Sequence, residues 1–129
     1  MALPTGTVTF CMTDIEGSTR LLAELGDDYG PVLGAHRQIV RDQLARHDGV
    51  EVDTEGDSFF CVFPRAVDAV RAAVDVQRCL AAHPWPGRST VRVRIGLHTG
   101  EGVHDDGGYV DAYGVSDVYA IRRPRAPAG

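Results

Sequence analysis

The segment Thr7-Val-Thr-Phe-Cys-Met-Thr-Asp-Ile-Glu-Gly-Ser-Thr-Arg20 changes from a strand-like to a helix-like pattern within a few residues. Residues 7 to 13 are β-branched or apolar, which predicts a short buried strand. Gly17 and the two small hydroxyl residues after it can end the strand and cap a helix that continues through Leu21 and Leu25. The segment therefore predicts a buried strand that turns directly into a helix, with Asp14 just past the strand.

The rest of the chain continues with helices and strands in a regular order. Residues 26 to 31 interrupt the first helix, and a second helix runs to about Arg46. Residues 50 to 63 read as a β-hairpin, with its turn at residues 54 to 56 and Asp57 at the start of the returning strand. A helix over residues 65 to 83, a strand over residues 91 to 100 and an irregular region follow. The arginines at alternate positions of that last strand, Arg92 and Arg94, suggest that one of its faces is solvated. This order predicts an α+β, ferredoxin-like sandwich in which helices cover one face of a mainly antiparallel sheet.

The length and composition narrow the class of protein. The 129 residues favour one domain, which we place at residues 1–121, followed by an irregular C-terminal tail at residues 122–129. All 13 basic residues are arginine, and the chain has neither lysine nor asparagine. A Schiff-base lysine and a P-loop lysine are therefore excluded, so phosphate recognition must use arginine, a metal ion or backbone amides.

The net charge of the chain and its cysteines indicate which binding partners and which cellular compartment to expect. The net charge of -5, with no arginine-rich run before the tail, argues against a nucleic-acid partner. The 3 cysteines are odd in number and lie among apolar residues, which favours reduced, structural thiols. No signal segment and no apolar run of bilayer length occur, so we expect a cytoplasmic protein with no membrane partner.

Asp14 and Asp57 are the strongest candidates for chemistry. If their strands are neighbours, both carboxylates emerge at one edge of the sheet, where the pair is unfavourable unless a cation lies between them or one is protonated. Carboxylates together with substrate phosphates usually hold Mg²⁺, and the helix start at residues 17–19 offers free N–H groups to an anion. The pattern predicts a metal site beside a phosphate site. The same residues also fit ordinary turns, with Ser18 as a simple N-cap.

Three segments, in order and with suitable spacing, resemble the signatures of the class III nucleotidyl cyclase catalytic domain. They are residues 9–20 of the segment quoted above, Gly56-Asp57-Ser-Phe-Phe60 and Val93-Arg-Ile-Gly-Leu-His-Thr-Gly-Glu101. The resemblance spans residues 7 to 102 and is greatest to the short soluble type found in actinobacteria. It implies a ferredoxin-like domain that works as a head-to-tail homodimer with active sites at the subunit interface.

The resemblance also implies roles for the residues at matching positions. Asp14 and Asp57 match the two metal-binding aspartates, with the carbonyl of Ile15 as a further ligand, for two divalent ions, Mg²⁺ or Mn²⁺. The loop that binds the β- and γ-phosphates is matched by Gly17, Ser18 and Thr19. The implied reaction is attack of the ribose 3′-hydroxyl of ATP on the α-phosphorus, which gives cyclic AMP and pyrophosphate.

Base recognition departs from the family pattern. Asp53 replaces the adenine-reading lysine, and a carboxylate can only accept hydrogen bonds, which suits the N1–H and N2–H₂ of guanine unless Asp53 is simply solvated. The second base-binding residue is Asp111 if Tyr113 and Gly114 match the family's aromatic–glycine pair. If Tyr109 is the anchor instead, Gly108 takes that place and no side chain reads the base there.

The family's ribose-binding asparagine and transition-state arginine fall in the segment around residues 118–123. Val118 or Tyr119 takes the place of the asparagine, and Arg122 or Arg123 matches the catalytic arginine, with Arg122 favoured if Gly114 is the anchor. The last helix and strands of the family domain have no counterpart, so we expect a C-terminally shortened domain. The sequence thus predicts an adenylate cyclase of cyclic-nucleotide signalling. The alternatives are a guanylate cyclase, or a degenerate dimerising module with little turnover.

Overall fold

A computed structural model describes the backbone of residues 4–105 and 108–111 and the side chains of residues 4–102. The elements in chain order are β1 (Gly6–Ile15), α1 (Ser18–Leu25), a 3-10 turn (Gly26–Asp28), α2 (Tyr29–Arg46), β2 (Val50–Glu55), β3 (Ser58–Phe63), α3 (Ala66–Ala82), β4 (Val93–Asp105) and β5 (Gly108–Asp111). The predicted order of strands and helices is confirmed up to β4. The predicted α+β class, with an antiparallel sheet and helices on one face, is confirmed as well.

The sheet is antiparallel, with the strand order β2-β3-β1-β4-β5. The central strand β1 pairs with β3 as far as Thr13, which lies opposite Phe59. On its other side β1 pairs with β4 as far as Ile15, which lies opposite Val93. These pairings bring the C-terminal end of β1, the turn before β3 and the start of β4 to one end of the sheet.

The helices cover one face of the sheet, and a smaller apolar cluster lies on the other. On the helix face, alternate residues of β1 and β3 pack against residues of α1, α2 and α3; among them are Cys11, Ile15, Phe59, Phe63, Leu21, Val40, Leu44, Val76 and Leu80. The residues at the intervening positions of β1 and β3 face the other side of the sheet and form the second cluster, made of Val8, Phe10, Met12, Phe60 and Val62. Because β1 and β3 are buried on both faces, their sequences read as continuous apolar runs rather than as an alternation.

Four details of the sequence prediction were wrong. Asp14 lies within β1, because β4 supplies backbone partners along the strand as far as Ile15. The hairpin turn is Gly56 and Asp57 rather than residues 54 to 56, since β2 and β3 pair up to Glu55 and Ser58. Helix α1 has Gly17 as its N-cap with no side-chain hydrogen bond, so Ser18 is its first residue and not its cap. The region after β4 contains β5, which pairs with it antiparallel.

The three cysteines lie on β1, β3 and α3. Cys11, Cys61 and Cys79 are free, and burial raises the pKa of the Cys11 thiol to about 12. A thiol with so high a pKa stays protonated and behaves as a small apolar side chain. Within residues 4–105 and 108–111, no helix is both long enough and apolar enough to cross a bilayer.

Candidate active site at the end of the central strand

Asp14, near the end of β1, is paired with an arginine on the neighbouring strand. Asp14 and Arg94 lie directly opposite each other in the register of β1 and β4. Arg94 Nε donates to Oδ1 of Asp14 at 2.8 Å, and Arg94 Nη2 donates to Oδ2 at 3.1 Å. The side chain of Asp14 is 13% exposed and that of Arg94 is 55% exposed. Both oxygens of a largely buried carboxylate are therefore engaged by one guanidinium that reaches in from solvent.

Asp57 is tied to the same end of β1 through the backbone. Its Oδ2 accepts a hydrogen bond of 2.7 Å from the N–H of Ile15, the residue after Asp14. The turn that carries Asp57 begins with Gly56 at a φ of 58°, a left-handed conformation that glycine adopts without strain. The expectation that the two aspartates meet at one edge of the sheet is thus met by a direct link between the turn and β1.

Helix α2 contacts the turn at Gly56 and Asp57 through the side chain of Arg37. Arg37 Nη2 donates to the carbonyl oxygen of Gly56 at 2.6 Å, while Arg37 Nε is buried without a hydrogen-bond partner. Burial, and then the negative charge of Asp57, raise the pKa of the Tyr29 hydroxyl, so Tyr29 lies within the field of this site. Sequence reasoning missed both Arg37 and Arg94. Only the strand register reveals Arg94, whose place in an alternating strand had suggested no more than a solvated face.

The acidic groups create a negative field around Arg94. The hydrogen bond to Asp14, and then the charges of Asp14, Glu16 and Asp57, raise the pKa of the Arg94 guanidinium above its usual value. Glu16 follows β1 directly, and its N–H donates to the carbonyl oxygen of Arg92 at 2.7 Å, which extends the β1–β4 pairing by one more bond. Three carboxylates therefore surround one cationic side chain at this end of the sheet.

The predicted phosphate loop lies immediately after these acidic residues. Gly17 has a φ of 66° and no atom within 4 Å of the position that a Cβ would take. The N–H groups of the first turn of any helix lack intrahelical partners, so Ser18 and Thr19, at the start of α1, present donors to this side of the site. An open depression of about 880 Å³ adjoins the loop and is lined by residues of both charges, including Arg20, Glu24, Arg88 and Arg92.

Asp53 lies on the edge strand β2, opposite Phe60, and its side chain is exposed. Residues opposite each other in a ladder share a face, and alternate residues of a strand return to it. Phe60 faces Met12, two residues before Asp14, so Asp53 and Asp14 lie on the same face of the sheet, opposite the face that α1, α2 and α3 cover. The structure therefore puts Asp53 on the face that carries the first candidate aspartate, with β3 between them.

The remaining predicted site residues are only partly covered by the structure. Asp111 is the last residue of β5 and lies opposite Gly102 in the ladder, but its side chain is outside the described part. Arg122, the positions expected to replace the ribose-binding asparagine, and the boundary between residues 121 and 122 are outside the described residues. The choice between Asp111 and Gly108 as base reader therefore stays a prediction.

The donors at the site suit a hard divalent cation. Asp14, Asp57 and the carbonyl of Ile15 offer only oxygen atoms, the ligand type that Mg²⁺ prefers, with water and phosphate completing the coordination. Over residues 4–102, no cluster of three or more histidine, cysteine or acidic side chains forms a self-sufficient metal site. These residues thus fit an ion that is shared with a substrate rather than one that the chain holds alone.

His36 on α2 and His47, which directly follows α2, both contact neighbouring side chains. His36 is fully buried and packs edge to face on Phe59, with ring centroids 5.9 Å apart. Burial lowers the pKa of His36 to about 4, so the ring is neutral at pH 7. His47 Nε2 lies 2.8 Å from Oδ2 of Asp75 on α3. Neither residue belongs to a group of metal-binding side chains in the described part of the chain.

The comparisons with known proteins agree with this fold. The model of the adenylate and guanylate cyclase catalytic domain matches residues 2–111. An uncharacterised protein of Mycobacterium tuberculosis is 40% identical over 100 residues, which covers 76% of this chain and 33% of that protein. The adenylate cyclase of Lachancea kluyveri is 34% identical over 117 residues, which covers 81% of this chain and 6% of that enzyme. The chain thus spans a third or less of the length of these relatives.

The structural comparison gives the same family. A solved adenylate cyclase structure from Trypanosoma brucei, in the monomeric state, matches with a TM-score of 0.80 and 28% identity, over 93% of this chain and 68% of that one. Because the family match covers most of the chain and the folds agree, the chain belongs to the class III adenylate and guanylate cyclase catalytic domain family.

Proposed function

We propose that the chain is a metal-dependent nucleotidyl cyclase domain that converts ATP to cyclic AMP and pyrophosphate. The observation that carries the proposal is the hydrogen bond from the N–H of Ile15 to Oδ2 of Asp57, which ties Asp57 to the residue directly after Asp14 at one end of the sheet. The phosphate loop at residues 17–19 begins two residues after Ile15. A cation site and an anion site would therefore be contiguous, as transfer of a phosphoryl group requires.

Asp14, Asp57 and the carbonyl of Ile15 would hold two divalent cations, Mg²⁺ or Mn²⁺. Cations bound there would lower the pKa of the ribose 3′-hydroxyl and neutralise charge on the leaving pyrophosphate. The backbone N–H groups of Gly17, Ser18 and Thr19 would orient the β- and γ-phosphates. The chain itself thus supplies positioning and charge, and the reaction needs no covalent intermediate on a protein side chain.

The assignment of ATP rests on relatives, and Asp53 supports the alternative substrate GTP. Relatives that match most of this chain are named adenylate cyclases. The exposed carboxylate of Asp53, on the face that carries Asp14, could instead accept the N1–H and N2–H₂ of guanine. Asp111 is the proposed second base contact.

We further propose that the active enzyme is a homodimer with its sites at the subunit interface. The transition-state charge would then be stabilised by Arg122 of one subunit, acting on a nucleotide held by Asp14 and Asp57 of the other. An arginine is the only strong cation that this lysine-free chain can offer for that role.

The test is an activity assay on the purified chain with Mn²⁺ and either ATP or GTP, in which cyclic nucleotide and pyrophosphate are both measured. Asp14→Ala and Asp57→Ala should each lower turnover by roughly a hundredfold or more. Asp42→Ala is the matched control, because Asp42 is exposed on α2 and its hydrogen bond within residues 4–102 is the one that it accepts from Gln38 at 2.8 Å. If a folded dimer gives no cyclic nucleotide from ATP or GTP, the enzyme proposal is wrong and the chain is a degenerate cyclase-like module.

Base selection is tested by Asp53→Lys, assayed on ATP and GTP separately. If Asp53 contacts the purine, the exchange of an acceptor for a donor should shift the ratio of kcat/KM towards ATP by about tenfold or more. The control is Asp42→Lys, which makes the same charge change on α2. An unchanged ratio in Asp53→Lys would mean that Asp53 is a solvated strand residue.

A further inference from the structure

The bidentate pair of Asp14 and Arg94 occupies the carboxylate that the proposed function assigns to a cation. Both oxygens of Asp14 are engaged, at 2.8 and 3.1 Å. A divalent ion needs at least one of these oxygens, and a cation on the same oxygen would lie against the guanidinium and be repelled by it. Asp14 therefore cannot coordinate a divalent ion without competition while Arg94 is bonded to both of its oxygens.

We propose that Arg94 is the resident counterion of Asp14, which competes with the divalent cation for that carboxylate and so sets the metal concentration at which the site fills. The inference rests on the proposed function, since it assumes that Asp14 is a metal ligand. It adds a residue that regulates metal occupancy, at a position where sequence reasoning had seen only a solvated strand face.

The need for such a counterion follows from the acidic surroundings. The charges of Asp14, Glu16 and Asp57 all act on Arg94, and close carboxylates repel one another unless a cation offsets their charge. An arginine is positively charged at every accessible pH, so it offsets part of that negative charge when no metal is bound. Its planar fork matches both oxygens of one carboxylate, which a lysine could not do.

The difference in burial between the two side chains indicates which one moves. Asp14 is 13% exposed and sits on the central strand, whereas Arg94 is 55% exposed and long. Pairs with so exposed a partner are weak, because solvent competes for the guanidinium. The arginine can swing into solvent while the aspartate stays in place, so the barrier to metal entry is modest and the competition is reversible.

The first experiment measures Mn²⁺ binding without nucleotide, from the electron paramagnetic resonance signal of free Mn²⁺ during a titration of the full chain. Arg94→Gln should bind Mn²⁺ about fivefold to tenfold more tightly than the wild type, because the competitor and its positive charge are gone. Arg71→Gln is the matched control, because Arg71 is an exposed arginine on α3 that does not line the site. It should change the Mn²⁺ affinity by less than about twofold.

Two further variants keep the result decisive. Asp14→Ala should abolish the tight Mn²⁺ site and so shows that the titration reports this carboxylate. Arg94→Thr removes the same charge with a β-branched residue that suits a strand; it should show the same gain and replaces Arg94→Gln if that variant does not fold, as judged by circular dichroism.

A second measurement follows Arg94 itself by NMR. The Nε–H resonance of Arg94, identified by its loss in Arg94→Gln, should be protected from exchange in the free protein and should lose that protection as Mg²⁺ is added.

The outcomes separate the two proposals. If Mn²⁺ binds the wild type and is lost in Asp14→Ala, but binds Arg94→Gln and Arg94→Thr no more tightly, the counterion inference is overturned and the metal site stands. If no variant with an intact Asp14 binds Mn²⁺, both the metal site and the inference are overturned. Retention of the protected Arg94 signal at saturating Mg²⁺ would also overturn the inference.

Discussion

The buried histidine of α2 should make the stability of the fold depend on pH in a defined window. His36 is 0% exposed, and among the described residues neither Nδ1 nor Nε2 makes a hydrogen bond of normal geometry, although a backbone group of Leu33 lies close enough to favour the protonated ring. Burial, helped by the positive charge of Arg37 and opposed by the negative charge of Asp57, lowers its pKa from 6.5 to about 4. The unfolded chain therefore binds a proton at this residue between pH 6.5 and 4 that the folded chain does not. Stability is greatest above pH 6.5 and is lost as the pH falls through this window.

The size of the effect follows from the two pKa values. The lowering from 6.5 to about 4 corresponds to about 3 kcal/mol when complete, of which about 2 kcal/mol is lost between pH 7.5 and 5. Urea denaturation of the wild type and of His36→Leu at both pH values measures this. The variant should show a pH dependence smaller by that amount, because leucine fills a similar volume and does not titrate.

A direct titration of the His36 ring by NMR gives an independent check. The carbon-bound ring protons should remain at their neutral-state shifts down to pH 5. If the wild type and His36→Leu lose the same stability between pH 7.5 and 5, or if His36 titrates near pH 6.5, the burial argument is wrong.

Three further predictions concern contacts that hold the fold and the site. Arg37→Met should leave the free energy of unfolding within about 1 kcal/mol of the wild type but weaken Mn²⁺ binding a few-fold, since the turn before β3 loses its support from α2; Arg37→Lys should restore part of that affinity. Gly49→Ala should cost about 2 kcal/mol in urea denaturation, because a Cβ would lie 2.6 Å from the ring of Phe63. Trp85→Phe should lower stability by about 1 kcal/mol and fray the end of α3 in hydrogen exchange, because the indole N–H donates to the carbonyl of Leu80 at 2.9 Å.

The absence of lysine and asparagine acquires a structural meaning at the site. In the described part of the chain, the cationic side chain bonded to Asp14 is that of Arg94. Its planar guanidinium binds both carboxylate oxygens, a geometry that lysine cannot reproduce. The position of the family's purine-reading lysine is Asp53, an exposed residue on the same face as Asp14. The proposed metal site thus contains a charged pair, and the proposed base-reading position carries the opposite charge to the family pattern.

The sequence by itself determined the order of the elements and the two candidate aspartates. The apolar runs of β1 and β3 and the periodicity of α2 and α3 are local patterns, and they reflect which side chains must leave water. The three motif segments singled out Asp14, Asp57 and the loop after Gly17, which lie at one end of the sheet. The boundaries near Asp14 and Asp57 were missed because strand ends depend on the partner strand, which a local pattern does not contain.

Only the tertiary structure decided which groups meet these aspartates. Arg94 is 80 residues from Asp14 in sequence, and the N–H of Ile15 is 42 residues from Asp57. Such contacts depend on the register between strands, and a slip of one residue would turn Arg94 to the opposite face of the sheet. Register is set by the packing of both faces of β1 against distant residues, so the counterion of the site could be seen only once the chain was folded.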